Sequence, residues 1–197
     1  MDKYINGEIK ELFKKLDIKF LDDYKIDYLL LLKHNSTEST YYQDNFDEFI
    51  NLTSIYGEDI RCRNSVDIYV TKTEDKGYGL FSLKDISKGS FIGVYLGVIR
   101  EEDDMVPFDE NGFDTDYAWD YPDELPNAPR LEINAKYAGN ELRFANHSST
   151  PNIRIEHTVV DNLWYIFFLA DRNIKSNEEL TISYGNAYWE NDYRELS

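Results

Sequence analysis

Residues 139–152 read Gly-Asn-Glu-Leu-Arg-Phe-Ala-Asn-His-Ser-Ser-Thr-Pro-Asn, and no other stretch constrains the fold as much. Its polar residues neither alternate as on a strand nor recur as on one face of a helix. Asn140, Arg143, Asn146, His147, Ser148 and Asn152 crowd hydrogen-bonding side chains into a short segment, with Phe144, Ala145 and Pro151 among them. Buried polar groups need partners. Such a segment is a turn-rich loop, a knot of polar groups that satisfy one another, or a grip on a polar ligand.

The 197 residues suffice for one domain with its own core. The single cysteine, Cys62, excludes an intramolecular disulfide and a multi-cysteine zinc site. It makes a reducing compartment the default. The first residues lack the basic and apolar regions of a signal peptide, and no apolar run approaches a membrane span. The expectation is an intracellular protein, cytoplasmic or nuclear; delivery into a host cell is compatible with this. A net charge of -17 argues against direct nucleic-acid binding and favours cationic partners. The charge is uneven, with eleven acids and no base between Glu101 and Glu124.

The first sixty residues read as helical. Ile9, Leu12, Phe13 and Leu16 make an amphipathic stripe. A second helix is expected over Asp22 to Lys33 with Leu29 to Leu32 buried, a loop over Asn35 to Thr40, and a third helix from near Asp44 to Gly57. From Val66 the pattern becomes that of strands, as Val66, Ile68 and Val70 alternate with polar neighbours. Short strands and turns continue through Phe91–Ile99, Leu131–Ile133, Ile153–Ile155, Leu163–Ala170 and Leu180–Tyr184, a mainly β, mostly antiparallel fold with helical flanks. The acidic stretch has weak periodicity and reads as an insertion. Phe108, Phe113, Tyr117, Trp119 and Tyr121 lie among its carboxylates. That mixture suits either a groove for a cationic, partly apolar side chain such as lysine, or a solvated loop with docked aromatics.

Four signals fall in a fixed order: Gly77-Tyr78-Gly79; Tyr95-Leu96-Gly97; Arg143-Phe144-Ala145-Asn146-His147-Ser148 with Pro151-Asn152; and Glu179-Leu180-Thr181-Ile182-Ser183-Tyr184-Gly185. The first two are common, the third is specific and the fourth moderately so. Together, with Ile133-Asn134-Ala135 ahead of Gly139-Asn140, they resemble the SET-domain protein lysine methyltransferases over roughly residues 66–185. The resemblance implies a β-clip-like fold of small antiparallel sheets with a C-terminal pseudoknot. It divides the chain into an α-helical N-terminal segment (1–62), a catalytic domain (63–185) with the acidic insertion at about 101–124, and a short cap (186–197) without the cysteine-rich zinc tail of many members.

The function so implied is transfer of a methyl group from S-adenosyl-methionine to lysine in a basic protein, a histone or another Lys-rich chain, with no direct nucleic-acid, membrane or metal partner. Methyl transfer to an amine is an in-line displacement, so positioning and a preorganised field carry the catalysis. The amine must arrive neutral, which desolvation and a nearby cation both favour. By position, Tyr184 resembles the catalytic tyrosine at the transfer pore and borders the cofactor; Tyr95 resembles the channel tyrosine. Tyr117 resembles a further wall on the cofactor side. Lys76, Gly77, Tyr78 and Gly79 resemble the loop along the cofactor. Asn146 and His147 resemble cofactor contacts, His147 through backbone and packing rather than as a base. Arg143 has a structural or a cofactor-side role. Trp189, with Tyr188, caps the site in place of the absent tail or packs as a terminal helix.

The chain departs from the family at three motif positions. Ser149 stands for the usual cysteine and Ser183 for the common aspartate. Ile182 stands where a tyrosine or phenylalanine often governs how many methyls are added. A non-catalytic SET-like module that binds basic proteins through its acidic face is the alternative these departures allow.

Overall fold

The apolar run Leu163–Ala170 is the middle strand of a three-stranded antiparallel sheet. On one side it pairs with Ile153–Val160, in register from Ile153 opposite Ala170 to Val160 opposite Leu163, and on the other with Phe91–Val94. Trp164, Phe167 and Phe168 are fully buried. The run lacks alternation because both faces are covered. The computed structural model describes residues 2–102, 114–122 and 129–185.

Three helices precede or flank this sheet: α1 (Gly7–Lys15), α2 (Thr40–Asp44) and α3 (Phe46–Cys62). The apolar stripe of α1 buries Ile9, Leu12 and Phe13, as its spacing predicts. Helix α3 packs on the outer strand of the sheet. The Phe49 ring meets Trp164 edge-on at 4.9 Å, and the hydroxyls of Thr53 and Thr158 are 2.8 Å apart.

A four-stranded sheet runs in the order Lys25–Ile26, Val98–Glu101, Leu131–Asn134, Ala118–Asp120. A three-stranded one joins Tyr4–Ile5, Ile68–Lys72 and Tyr78–Ser82. Lys19–Phe20 lies parallel to Ala138–Gly139. The short strand Asn146–His147 lies parallel to Thr181–Ile182.

Asn152, 1% exposed, seals that last pairing. Its Nδ2 donates to the Glu179 carbonyl at 2.7 Å, and its Oδ1 accepts from the Thr181 N–H at 2.9 Å. The crowded polar segment of the sequence is therefore a set of groups satisfied mainly by other segments of the chain, Asn140 at Val94 and Leu96, Arg143 at Ala135 and Lys136, and Asn152 at the strand it meets.

The N-terminal sixty residues are helical only in part. The helix expected over Asp22–Lys33 is absent. Lys25–Ile26 instead extends a sheet edge parallel to Val98–Ile99, and Leu29–Lys33 forms a 3₁₀ turn. Pairing with an available edge outweighs local helix propensity. Of the four leucines only Leu31 is buried; Leu29, Leu30 and Leu32 are 57–67% exposed. Ser36–Glu38 is a 3₁₀ turn, and α2 begins at Thr40, within what reads as a loop. Helix α3 passes through Gly57 to Cys62, because Leu52 and Ile60 carry its buried face past the glycine.

The acidic stretch is not wholly an insertion. Its end returns as the edge strand Ala118–Asp120. Tyr121 belongs to the core, 5% exposed, its hydroxyl accepting the Trp164 N–H at 3.2 Å. Phe108 and Phe113 lie outside the described residues.

Two urea-unfolding experiments check this account. Leu31→Ala costs about 2–5 kcal/mol, whereas Leu30→Ala stays within about 0.5 kcal/mol. Asn152→Ala costs about 2–6 kcal/mol, because it strands two buried backbone groups.

Candidate active site

A cavity of about 700 Å³ opens where the polar segment, the Lys76–Tyr78 turn and the end of α1 converge. The turn is shaped by Thr73, whose N–H donates to the Gly77 carbonyl at 2.7 Å and whose hydroxyl accepts the Lys76 N–H at 2.9 Å. Gly77 has φ +75°, a left-handed conformation that glycine adopts at no steric cost. A Cβ at Gly79 would fall 2.7 Å from Oε1 of Glu179. That same Oε1 accepts from Asn146 Nδ2 at 2.9 Å, and the Asn146 amide also reaches the Tyr78 carbonyl at 3.2 Å. Lys76 Nζ donates to the His147 carbonyl at 3.0 Å. Turn and polar segment are thus cross-linked by side chains.

Tyr184 stands on the same wall. Its hydroxyl donates to the Ala145 carbonyl at 3.2 Å and its N–H donates to Nδ1 of His147 at 3.2 Å. An accepting Nδ1 leaves the proton of a neutral imidazole on Nε2. Burial, and then the nearby Lys76 charge, hold that imidazole below its ordinary pKa.

Arg143 is 8% exposed and bridges two carbonyls, donating from Nε to Ala135 at 2.9 Å and from Nη2 to Lys136 at 3.3 Å. Its guanidinium carbon lies 4.0 Å from the centre of the Tyr117 ring. Burial draws its pKa down, while Tyr117 and Tyr95 favour the charged form. Tyr95 is 3% exposed and its hydroxyl donates to the Tyr117 carbonyl at 2.7 Å. Burial pushes that hydroxyl's pKa well up, against the opposing pull of Arg143, so the phenol stays neutral.

The structure therefore brings Lys76, Gly77, Tyr78, Tyr117, Arg143, Asn146 and Tyr184 to one cavity. Three sequence candidates stand behind its wall: Gly79 packs under Glu179, Tyr95 supports Tyr117, and His147 holds the backbone of Tyr184. Trp189 lies outside the described residues. Ile182 is buried in the strand pair, 3% exposed.

Leu16, Asp17, Ile18, Asp116, Lys136 and Tyr137 also line the cavity, and the sequence did not mark them. Lys136 and Tyr137 sit between two quoted motif pieces, a position that signals them. Nothing local signals Leu16 to Ile18, which arrive through pairing with residues far along the chain.

The SET domain family model matches residues 77–185. The chain is 35% identical over 127 residues to the histone-lysine N-methyltransferase SUV39H1-A of Danio rerio, covering 60% of this chain and 30% of that protein. It is 33% identical over 156 residues to the histone-lysine N-methyltransferase, H3 lysine-9 specific, SUVH3 of Arabidopsis thaliana, covering 63% and 23%. It is 34% identical over 122 residues to an H3 lysine-36 specific histone-lysine N-methyltransferase of Kluyveromyces lactis, covering 60% and 16%. The chain thus spans under a third of the length of these relatives. With the family model covering more than half of its residues, the chain belongs to the SET domain family.

Proposed function

We propose that this chain is an S-adenosyl-methionine-dependent protein lysine N-methyltransferase acting inside cells on a basic protein, with histones the first substrates to try. The observation that carries the reading is the convergence of the Lys76–Tyr78 turn, Asn146 and Tyr184 on one cavity. Its volume of about 700 Å³ is that of a small-molecule site. Its wall suits a nucleoside that also carries an amino-acid group. Leu16, Ile18, Tyr78 and Phe144 offer apolar surface, Lys76 and Asp17 offer charge, and open space at Gly77 lets a ligand approach the backbone. Lys76, Gly77, Tyr78 and Asn146 would hold the cofactor, and the ring of Tyr184, which a phenylalanine keeps, would border it. When bound, it supplies a methyl group activated by a sulfonium.

The protein's part is positional. The Tyr184 phenol is held at the Ala145 carbonyl, so hydroxyl and carbonyl together present a polar rim at which an amine can be oriented. The bonds from Tyr184 N–H to His147 and from Tyr95 to the Tyr117 carbonyl fix the backbone of Tyr184 and of Tyr117, which line the same cavity. The Arg143 guanidinium beneath Tyr117 disfavours a second cation nearby, which helps a lysine amine arrive neutral. His147, neutral and already accepting a bond, orients rather than takes a proton. The overall charge of -17 attracts a Lys-rich chain.

The test is transfer of label from radiolabelled S-adenosyl-methionine to core histones, free and in nucleosomes. Wild-type protein labels a histone, and Tyr184→Phe lowers turnover about a hundredfold or more while cofactor affinity stays nearly intact. Full turnover in Tyr184→Phe would sink the assignment. The rate should also climb with pH on the alkaline side, because the neutral fraction of a lysine amine grows about tenfold per unit below its pKa. A flat profile, with chemistry shown to limit the rate, would contradict the need for a neutral amine.

A further inference from the structure

The turn that ends α1 faces the cavity. Leu16, Asp17 and Ile18 share its wall with Lys76, Tyr78 and Phe144, although they precede the family-matched residues. The turn is fixed from both sides. Tyr4–Ile5 is antiparallel to Tyr69–Val70, and Lys19–Phe20 is parallel to Ala138–Gly139. The Phe13 ring also meets Phe144 edge-on at 5.5 Å. Two bonds close the helix, from Ile18 N–H to the Phe13 carbonyl at 2.9 Å and from Asp17 N–H to the Lys14 carbonyl at 3.2 Å. In this kind of helix ending the residue in the left-handed conformation is usually glycine. Here it is Asp17, with φ 55°. A glycine would form the same turn with less strain; the aspartate adds an exposed carboxylate at the cavity mouth.

We infer that the Leu16–Ile18 turn is part of the cofactor site, an inference that rests on the methyltransferase reading above. Leu16 and Ile18 give the nucleoside an apolar wall. Asp17 accepts a hydrogen bond from a donor of the cofactor, its ammonium or its ribose hydroxyls. The segment ahead of the matched domain is thereby a component of the site and not an appendage to it.

The test titrates S-adenosyl-homocysteine and 5′-methylthioadenosine into the full chain, wild type, Asp17→Gly and Asp17→Asn, with a thermal midpoint for each protein. Asp17→Gly should bind S-adenosyl-homocysteine about tenfold to a hundredfold more weakly. Its midpoint should rise by roughly 2–4 °C, because glycine relieves the left-handed strain. Asp17→Asn keeps the turn, loses the charge and should fall between the two. Weakening shared by 5′-methylthioadenosine assigns Asp17 to the ribose, and weakening of S-adenosyl-homocysteine alone assigns it to the ammonium. Unchanged affinity in both variants, with the raised midpoint, would overturn the inference and leave the turn purely structural. A wild-type chain that binds neither probe overturns the parent reading and this inference with it, an outcome that the wild type alone reveals.

Discussion

Much of the structure depends on one property of asparagine: its side-chain amide can stand in for a peptide unit. Asn152 donates to the carbonyl of Glu179 and accepts from the N–H of Thr181. Asn140 does the same one strand pair away, donating to the Val94 carbonyl at 2.8 Å and accepting from the Leu96 N–H at 3.2 Å. In each case the carbonyl and the N–H belong to residues two apart, the spacing a neighbouring strand would satisfy. Each side chain extends a ladder where the backbone cannot run alongside. Aspartate offers no donor and serine too short a reach, which is why the amide is wanted at these positions. Buried strands with unmet backbone groups are costly, and the two asparagines remove that cost at Val94, Leu96, Glu179 and Thr181.

The site built on this scaffold contrasts with the molecule around it. The chain as a whole is strongly acidic. Yet the surroundings of Tyr184 hold the buried cation Arg143, a half-buried neutral imidazole at His147 and a buried neutral phenol at Tyr95. In the proposed reaction the two act differently on a lysine chain: the anionic exterior draws the ammonium in, and the buried cation disfavours its charge at the end of its path. Neither effect requires a residue that exchanges protons.

What could be read from the sequence is what lies in contiguous residues. The Leu163–Ala170 strand, the polar segment 139–152, the separate Glu179–Gly185 motif that it meets, and the amphipathic face of α1 each carry their signal in one run of about fourteen residues or fewer. The N-terminal strands do not. Tyr4–Ile5, Lys19–Phe20 and Lys25–Ile26 have two residues each, too few for any period, and exist because a distant strand presents an edge. The four leucines after Asp27 read as a buried helix because their order says nothing about which of them meets the core; a 3₁₀ turn sends only Leu31 inward. Gly57 reads as a stop because local propensity carries no information about the sheet that α3 lies on. Of the residues that line the cavity, those in the motifs are marked by the sequence and Leu16 to Ile18 are not, for the same reason as the edge strands that hold them.

These edge strands bear on how the chain reaches its folded state. Residues 4–5 pair with 69–70, 19–20 with 138–139, and 25–26 with 98–99, while 146–147 wait for 181–182. Nearly every sheet is closed by a segment made much earlier or much later than the strand it completes. Such non-local pairing raises contact order and slows folding, since loop entropy is lost before the contacts that reward it form. During synthesis the first strands have no partners and the polar segment has no ladder to complete. The cavity wall, assembled from segments far apart in the sequence, is among the last features to exist.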